Sequence, residues 1–290
     1  MTAIIDRLAV IGVGLIGGSF ALALKEAGAV NFVIGCGRSQ ENLRDALAAG
    51  AIDDATTDPE EAAKGADVVL LAVPVRAMAP LARRISHVLK PGAIVTDAGS
   101  TKEIVAAELF AHLPPHTRIV PAHPIAGSER TGAAAARADL FRGRRTIITK
   151  NGIADDDAIA VVKKLWEAAG AKVEFMDAHT HDLALGAVSH LPHLIAYALV
   201  ETVMRWDDET PMLQFSAGGL RDFTRVAGSS PEMWADICMD NKDAILEAVR
   251  RYRESFNGLA ALVESGDEAG LRDWFTRARE VRRRMPGDGT

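Results

Sequence analysis

The sequence predicts an α/β architecture, a doubly wound parallel sheet, followed by an all-α C-terminal domain. Three observations carry this expectation. Short apolar runs alternate with helix-length patterns through the first 177 residues, the signature of successive βαβ units. The first apolar run passes through a glycine-rich turn straight into a helical pattern. From residue 178 the strand signal stops and long helical patterns take over, which marks a change of fold class. No Pro/Gly/Ser-rich spacer separates the two halves, so the expected domains are 1–177 and 178–290 in direct contact.

In chain order, the predicted strands are "RLAVIG" (7–12), "VNFVIG" (30–35), "DVVLLAV" (67–73), "AIVTD" (93–97), "RIVPA" (118–122), "RTIIT" (145–149) and "KVEF" (172–175). The first of these are apolar runs, as strands buried on both faces are, whereas "KVEF" alternates charged and apolar residues. Between them, Gly17 to Glu26 and Asp156 to Ala169 read as helices, the second stopped by Gly170. The C-terminal half is dominated by "HDLALGAVSHLPHLIAYALVETVM" and "AILEAVRRYRESFNGLAALV".

Bulk properties narrow the function classes. At 290 residues and 48% hydrophobic content the chain can bury two cores, and its formal net charge of −6 gives neither nucleic acid nor an anionic membrane a broad basic surface. Cys36 and Cys238 fall in no metal or redox spacing, which suits a reducing cytoplasm. The longest apolar run, near 183–200, contains Ser189, His190, Pro192 and His193 and is read as too interrupted for a bilayer span. A soluble cytoplasmic protein is expected.

"IGVGLIGGS" places Gly12, Gly14 and Gly17 in G-x-G-x-x-G spacing between a strand and a helix. The first glycine permits the turn, the second lets backbone approach a pyrophosphate, and the third packs helix on strand. The helix N-terminus meanwhile offers N–H groups to phosphate. This is a Rossmann-type dinucleotide site, and Leu15 and Ile16 at the helix start, with Val73 and Pro74 after a later strand, join the candidate cofactor contacts. The second strand ends in "GCGRSQ", with Arg38 and Ser39 where a carboxylate would read a ribose 2′-hydroxyl. The cofactor is NAD or NADP, and Arg38 tips the expectation slightly toward NADP.

"AHPIAGSER" (122–130) raises the catalytic question. Ligands in such sheets lie outside the carboxyl ends of the strands. His123 follows "RIVPA" there and Ser100 follows "AIVTD", while Pro124 restricts His123 and Gly127 allows a turn returning Ser128 and Glu129. A second cluster lies in the helical half. His190 and His193 in "SHLPH" share a helix face near a Pro192 kink, and "GGLRDFTR" puts Arg221 and Arg225 four apart after the pair opened by Gly218. Two guanidiniums on one face suit a carboxylate ligand. "HTHD" (179–182) was weighed as a metal site and set aside, because no H-E-x-x-H or thiolate pair accompanies it.

These stretches together resemble the prephenate dehydrogenase family, with its arogenate and cyclohexadienyl variants, over nearly the whole chain. The match rests on "GVGLIGGS", "DAGSTK" (97–102), "HPIAGSE" (123–129), "VSHLPH" (188–193) and "GGLRDFTR" (218–225), in that order. The resemblance implies a homodimer built through the helical domain, with the active site between domains. It also implies that His123 takes the proton of a ring hydroxyl, that Ser100 assists there, and that His193 and Arg225 hold a small-molecule substrate. Ser128 stands where the family often has threonine and Arg221 where some members have lysine. Glu129, which would repel an anionic substrate, is assigned to gating or to an amino group. A β-hydroxyacid dehydrogenase or imine reductase would instead need a helical-domain lysine, for which Lys242 is the candidate. A nicotinamide-sensing protein without chemistry would not need His123 or Ser100.

Overall fold

A computed structural model describes residues 2–128, 130–150, 155–207 and 211–285. The N-terminal half alternates β1 (Ile5–Ile11), α1 (Leu15–Glu26), β2 (Val30–Cys36), α2 (Gln40–Ala48), β3 (Asp54–Thr56), α3 (Pro59–Ala63), β4 (Val68–Leu71), α4 (Val75–Ile85), β5 (Ile94–Asp97), α5 (Glu103–His112) and β6 (Arg118–Val120). The six strands pair in the order β3-β2-β1-β4-β5-β6, and every pairing is parallel. The chain then enters a second sheet, β7 (Ala122–Pro124), β8 (Arg145–Thr149) and β9 (Lys172–Met176), with α6 (Asp156–Ala168) between the last two.

Period-two alternation explains the core. Leu8 and Val10 of β1 face one layer with Phe20, Leu24 and Trp166, whereas Ala9 and Ile11 face the other with Met78, Ile85 and Leu109. Both faces are buried, which is why the strands read as unbroken apolar runs. Trp166 of α6 packs on Phe20 at 4.3 Å and edge-on to Phe141 at 5.1 Å, fastening the second sheet to α1. The start of α6 is capped by a side chain, Asp155 accepting from Asp157 and Ala158 N–H, and Gly170 at φ +88° follows the end of α6 as expected. Cys36 is buried, and desolvation raises its thiol to about 11.

Two departures from expectation matter. β3 is only three residues, too short for its pattern to stand out. Pro121 splits "RIVPA": β6 ends at Val120 and β7 begins at Ala122 in the other sheet, antiparallel to β8. Proline lacks a ladder donor, so the strand changes partner there. His123 is therefore inside a strand, paired with Ile147, rather than in the loop beyond one.

The C-terminal half holds α7 (Ala178–Leu185), a π-helical turn Gly186–His190, α8 (Leu191–Asp207), α9 (Gly218–Thr224), α10 (Pro231–Asp240), α11 (Lys242–Glu264) and α12 (Glu268–Arg284). The helix continues through Pro192: one 30-residue helical segment runs from Ala178 to Asp207, and a π turn at Gly186–His190, just before the proline, breaks the regular i→i−4 ladder there. By length and composition that segment could cross a bilayer. Its His181, Asp182 and His190 are buried against the rest of the protein, which anchors it as a packed element. α10 packs on α4, where Arg76 pairs with Asp240 at 3.0 Å. Much apolar surface stays uncovered in the single chain, including Val188, Trp206, Phe215, Phe256 and Phe275.

Candidate active site

The carboxyl ends of the strands converge on a cavity of about 430 Å³, in the range of small-molecule sites. Gly14, Leu15 and Ile16 enter it from the start of α1, Val73 and Pro74 from the end of β4, Ser100 from beyond β5, and His123 from β7. Ser128 joins from the loop after β7. The helical half closes the opposite wall with Ser229, Ser230, Met233 and Ile237, which the sequence gave no periodicity or motif to find.

The glycine turn fits a dinucleotide. Gly12 sits at φ +101°, and a Cβ there would lie 2.3 Å from the Ala72 carbonyl oxygen, so no other residue is accommodated. A Cβ on Gly17 would lie 2.3 Å from the Gly12 carbonyl oxygen and 2.8 Å from Val10, which confirms its packing duty. Nothing approaches within 4 Å of a Cβ built on Gly14. Gly14 is also the N-cap of α1, which has no side-chain cap and no acid in its first turn. That leaves backbone N–H groups and the dipole's positive end open to an anion. Arg38 and Ser39 are exposed at the tip of β2, outside the cavity lining, and Ser39 accepts from Asn42 N–H to cap α2. Asn42 in turn donates to the Val13 carbonyl and accepts from Ala133 N–H at 2.6 Å, pinning the returning loop over the glycine turn.

His123 is 9% exposed. Burial holds its imidazole well below its ordinary value, and the neighbouring His181, Lys102 and His190 add to the depression. It is therefore neutral near pH 7. Its Nδ1 lies 2.8 Å from Nε2 of His181, whose own Nδ1 lies 2.7 Å from Asp182 Oδ1. Behind these rings is a fully buried ion pair between Lys102 and Asp97. Lys102 also donates to the Ala122 carbonyl at 2.9 Å, and Asp97 accepts from Gly99 N–H at 2.8 Å and Ala122 N–H at 3.2 Å. The pair ties the end of β5, which leads to Ser100, to the start of β7, which carries His123. Desolvation lowers the Lys102 ammonium's proton affinity even with Asp97 beside it.

The remaining expected residues fall outside the cavity lining. His193 stacks on Trp234, 3.9 Å between centroids at 25°, and its Nδ1 meets the Ser189 carbonyl at 2.9 Å. Burial lowers its proton affinity, and Arg225 lowers it further, which places that guanidinium in its field. His190 meets the same Trp234 edge-on, so the two histidines do share a neighbour, but His190 is bound to Asn241 and only 1% exposed. α9 ends at Thr224 and Arg225 opens a 3₁₀ turn, so Arg221 and Arg225 do not share one continuous helical face. Arg221 and Gly218 lie exposed on α9. That 3₁₀ turn leads to Ser229 and Ser230, and Trp234, on which His193 stacks, is the chain neighbour of Met233, so both residues adjoin in sequence or by stacking the segments that form the cavity's helical wall. Glu129 lies outside the described residues. Lys242 is exposed and is not among the residues lining the cavity. Of "HTHD", His181 turns inward while His179 faces solvent near Glu103.

Comparison with known proteins covers the same ground. The model described as prephenate dehydrogenase, nucleotide-binding domain, matches residues 20–175, and the model described as prephenate dehydrogenase, dimerization domain, matches 177–277. The chain is 37% identical over 288 residues to cyclohexadienyl dehydrogenase of Zymomonas mobilis, covering 98% of each. A crystal structure of prephenate dehydrogenase from Aquifex aeolicus in complex with hydroxyphenyl propionate and NAD+ superposes with a TM-score of 0.90 at 34% identity, covering 96% of this chain and 97% of that one. Arogenate dehydrogenase of Synechocystis matches at a TM-score of 0.79 and 26% identity, covering 95% and 98%. With both halves matched in order by family models and relatives of 34–37% identity aligned over nearly the whole chain, the chain belongs to the prephenate dehydrogenase family of oxidoreductases.

Proposed function

We propose that the chain catalyses NAD(P)-dependent oxidative decarboxylation of prephenate, of arogenate, or of both, a step toward tyrosine. The observation that carries this is the shared cavity: an open-faced glycine turn on one side, and Ser100 with a buried neutral His123 on the other. When bound, the nicotinamide supplies the hydride acceptor. His123 removes the proton of the ring hydroxyl as hydride leaves that carbon, and Ser100 shares the hydroxyl's hydrogen bond. Loss of carbon dioxide then makes the ring aromatic. A base positioned in this way is worth about 10²- to 10⁴-fold, and correct placement of the reacting groups up to about 7–11 kcal/mol.

Gly12, Gly14 and Gly17 with Leu15, Ile16, Val73 and Pro74 hold the dinucleotide. Arg38 and Ser39 at the tip of β2, where no carboxylate stands, favour a 2′-phosphate and hence NADP. Arg225 and His193 hold the substrate at the helical wall, Arg225 as the carboxylate partner, with Arg221 and Gly218 at the rim. Ser128 closes the near side, and Glu129 serves gating or an amino group. The uncovered apolar faces of the helical half support a homodimer, and the two free cysteines suit a reducing, cytoplasmic location. An absorbance assay crossing prephenate and arogenate with NAD and NADP tests substrate, cofactor and activity at once. No reduced nicotinamide in any of the four combinations would overturn the assignment.

A further inference from the structure

The base at the centre of the site touches a residue from the other half of the chain. His123 and His181, 58 positions apart, approach with Nδ1 and Nε2 at 2.8 Å, ring centroids 5.1 Å apart and planes inclined at 61°. Two facing imidazole nitrogens can bond only if one carries a proton and the other a lone pair. What lies beyond His181 decides which. Its Nδ1 faces Asp182 Oδ1 at 2.7 Å, and Asp182 accepts from Lys102 N–H at 2.8 Å and Glu103 N–H at 2.9 Å, one to each oxygen. A carboxylate so engaged has only acceptors to offer, so His181 must present Nδ1–H to it. A lone pair there, buried against an acceptor, would cost about 1–3 kcal/mol. In the neutral ring Nε2 is then the lone pair, and His123 must donate Nδ1–H to it. Nε2 of His123 is left as the free base.

We propose that His181 and Asp182 are positioning residues that hold His123 in its Nδ1–H form, aiming the Nε2 lone pair into the cavity. This rests on His123 being the base of the reaction above. Among the described residues, the titratable and charged groups facing the pair are His190 from the π turn, Lys102 ahead of α5 with Asp97 beside it, and Asp182 with its backbone carbonyl held by Asn241 at 2.8 Å. When the hydroxyl proton moves to Nε2, His123 becomes an imidazolium. Its Nδ1–H bond to His181 shortens the reach of that charge to Asp182, and no proton needs to pass beyond His123.

The test uses the full chain labelled with nitrogen-15 in its histidines. Two-bond proton–nitrogen correlations report each ring's tautomer. The expected result is Nδ1–H for both His123 and His181 at neutral pH. Nε2–H on His123, or an imidazolium at His181, overturns the proposal. Kinetics supply the second readout. His181→Phe keeps the volume and removes the acceptor, and should shift His123 toward Nε2–H and lower kcat about 10- to 100-fold with KM within about twofold. His181→Gln returns an acceptor oxygen and should recover most of the loss, with the acid limb of the kcat profile near that of the parent. A folded His181→Phe enzyme with kcat within about twofold of the parent, or Gln performing no better than Phe, overturns it. Should His181→Phe fail to fold, the parent spectrum and the Gln variant still decide. Inactivity of the parent on both substrates would sink the proposed reaction instead, leaving the tautomer to be read directly.

Discussion

Replacing Lys102 with methionine isolates the ion pair that holds the catalytic strands together. Both partners are completely buried, so the methionine fills the lysine's space and removes only the charge and the donor. Asp97 is left with N–H donors from Gly99 and Ala122 but no cation, and the Ala122 carbonyl loses a partner. Breaking one side of a buried pair costs about 3–5 kcal/mol, because an uncompensated charge remains in low dielectric. At about 2–4 °C per kcal/mol for a unit of this size, the thermal midpoint should fall by about 6–20 °C. Calorimetry at one fixed protein concentration measures it, since association contributes to the midpoint. The double variant Asp97→Asn, Lys102→Met removes the stranded charge and should be more stable than the sum of the single losses by at least about 1 kcal/mol. A drop below about 3 °C for Lys102→Met, or strictly additive losses, would refute the claim that this pair is the clamp between β5 and β7.

Three further outcomes are expected. His123→Ala should cut kcat by about 10²-fold or more with KM little changed, while Arg225→Ala should act mainly on KM; steady-state kinetics with equal mild effects from both would contradict the assigned roles. His190 titrates in the unfolded chain near 6.5 but only at about 4 in the folded protein because it is buried. The unfolded state therefore takes up the proton first: stability is complete above about pH 6.5 and about 3 kcal/mol is lost by pH 4, so thermal midpoints across that window should flatten in His190→Gln. Gly14→Ala should leave the midpoint within about 2 °C yet weaken dinucleotide binding about tenfold by titration calorimetry, whereas Gly17→Ala, whose Cβ would strike backbone, should lower both.

The first half of the fold was legible because a sheet buried on both faces writes itself as apolar runs, and because the glycine turn fixes where the first βα unit lies. β3 was missed since three residues carry no periodicity, and the β6/β7 switch because Pro121 reads as a strand interruption whichever sheet follows it. Within the site, Ser100 and His123 were visible as polar residues at strand ends. Lys102 lies inside "DAGSTK", and nothing in that spacing says that it folds back on Asp97. His181 and Asp182 reach the site across a sequence gap that no local pattern spans, and the wall formed by Met233 and Ile237 depends on how α10 meets α4.

The helical segment from Ala178 to Asp207 carries His181 and Asp182 near one end and His193 farther along. His181 and His193 therefore ride on one continuous helical segment: on the roles proposed above, displacing it from the sheet would take away the partner of the base and a substrate contact together.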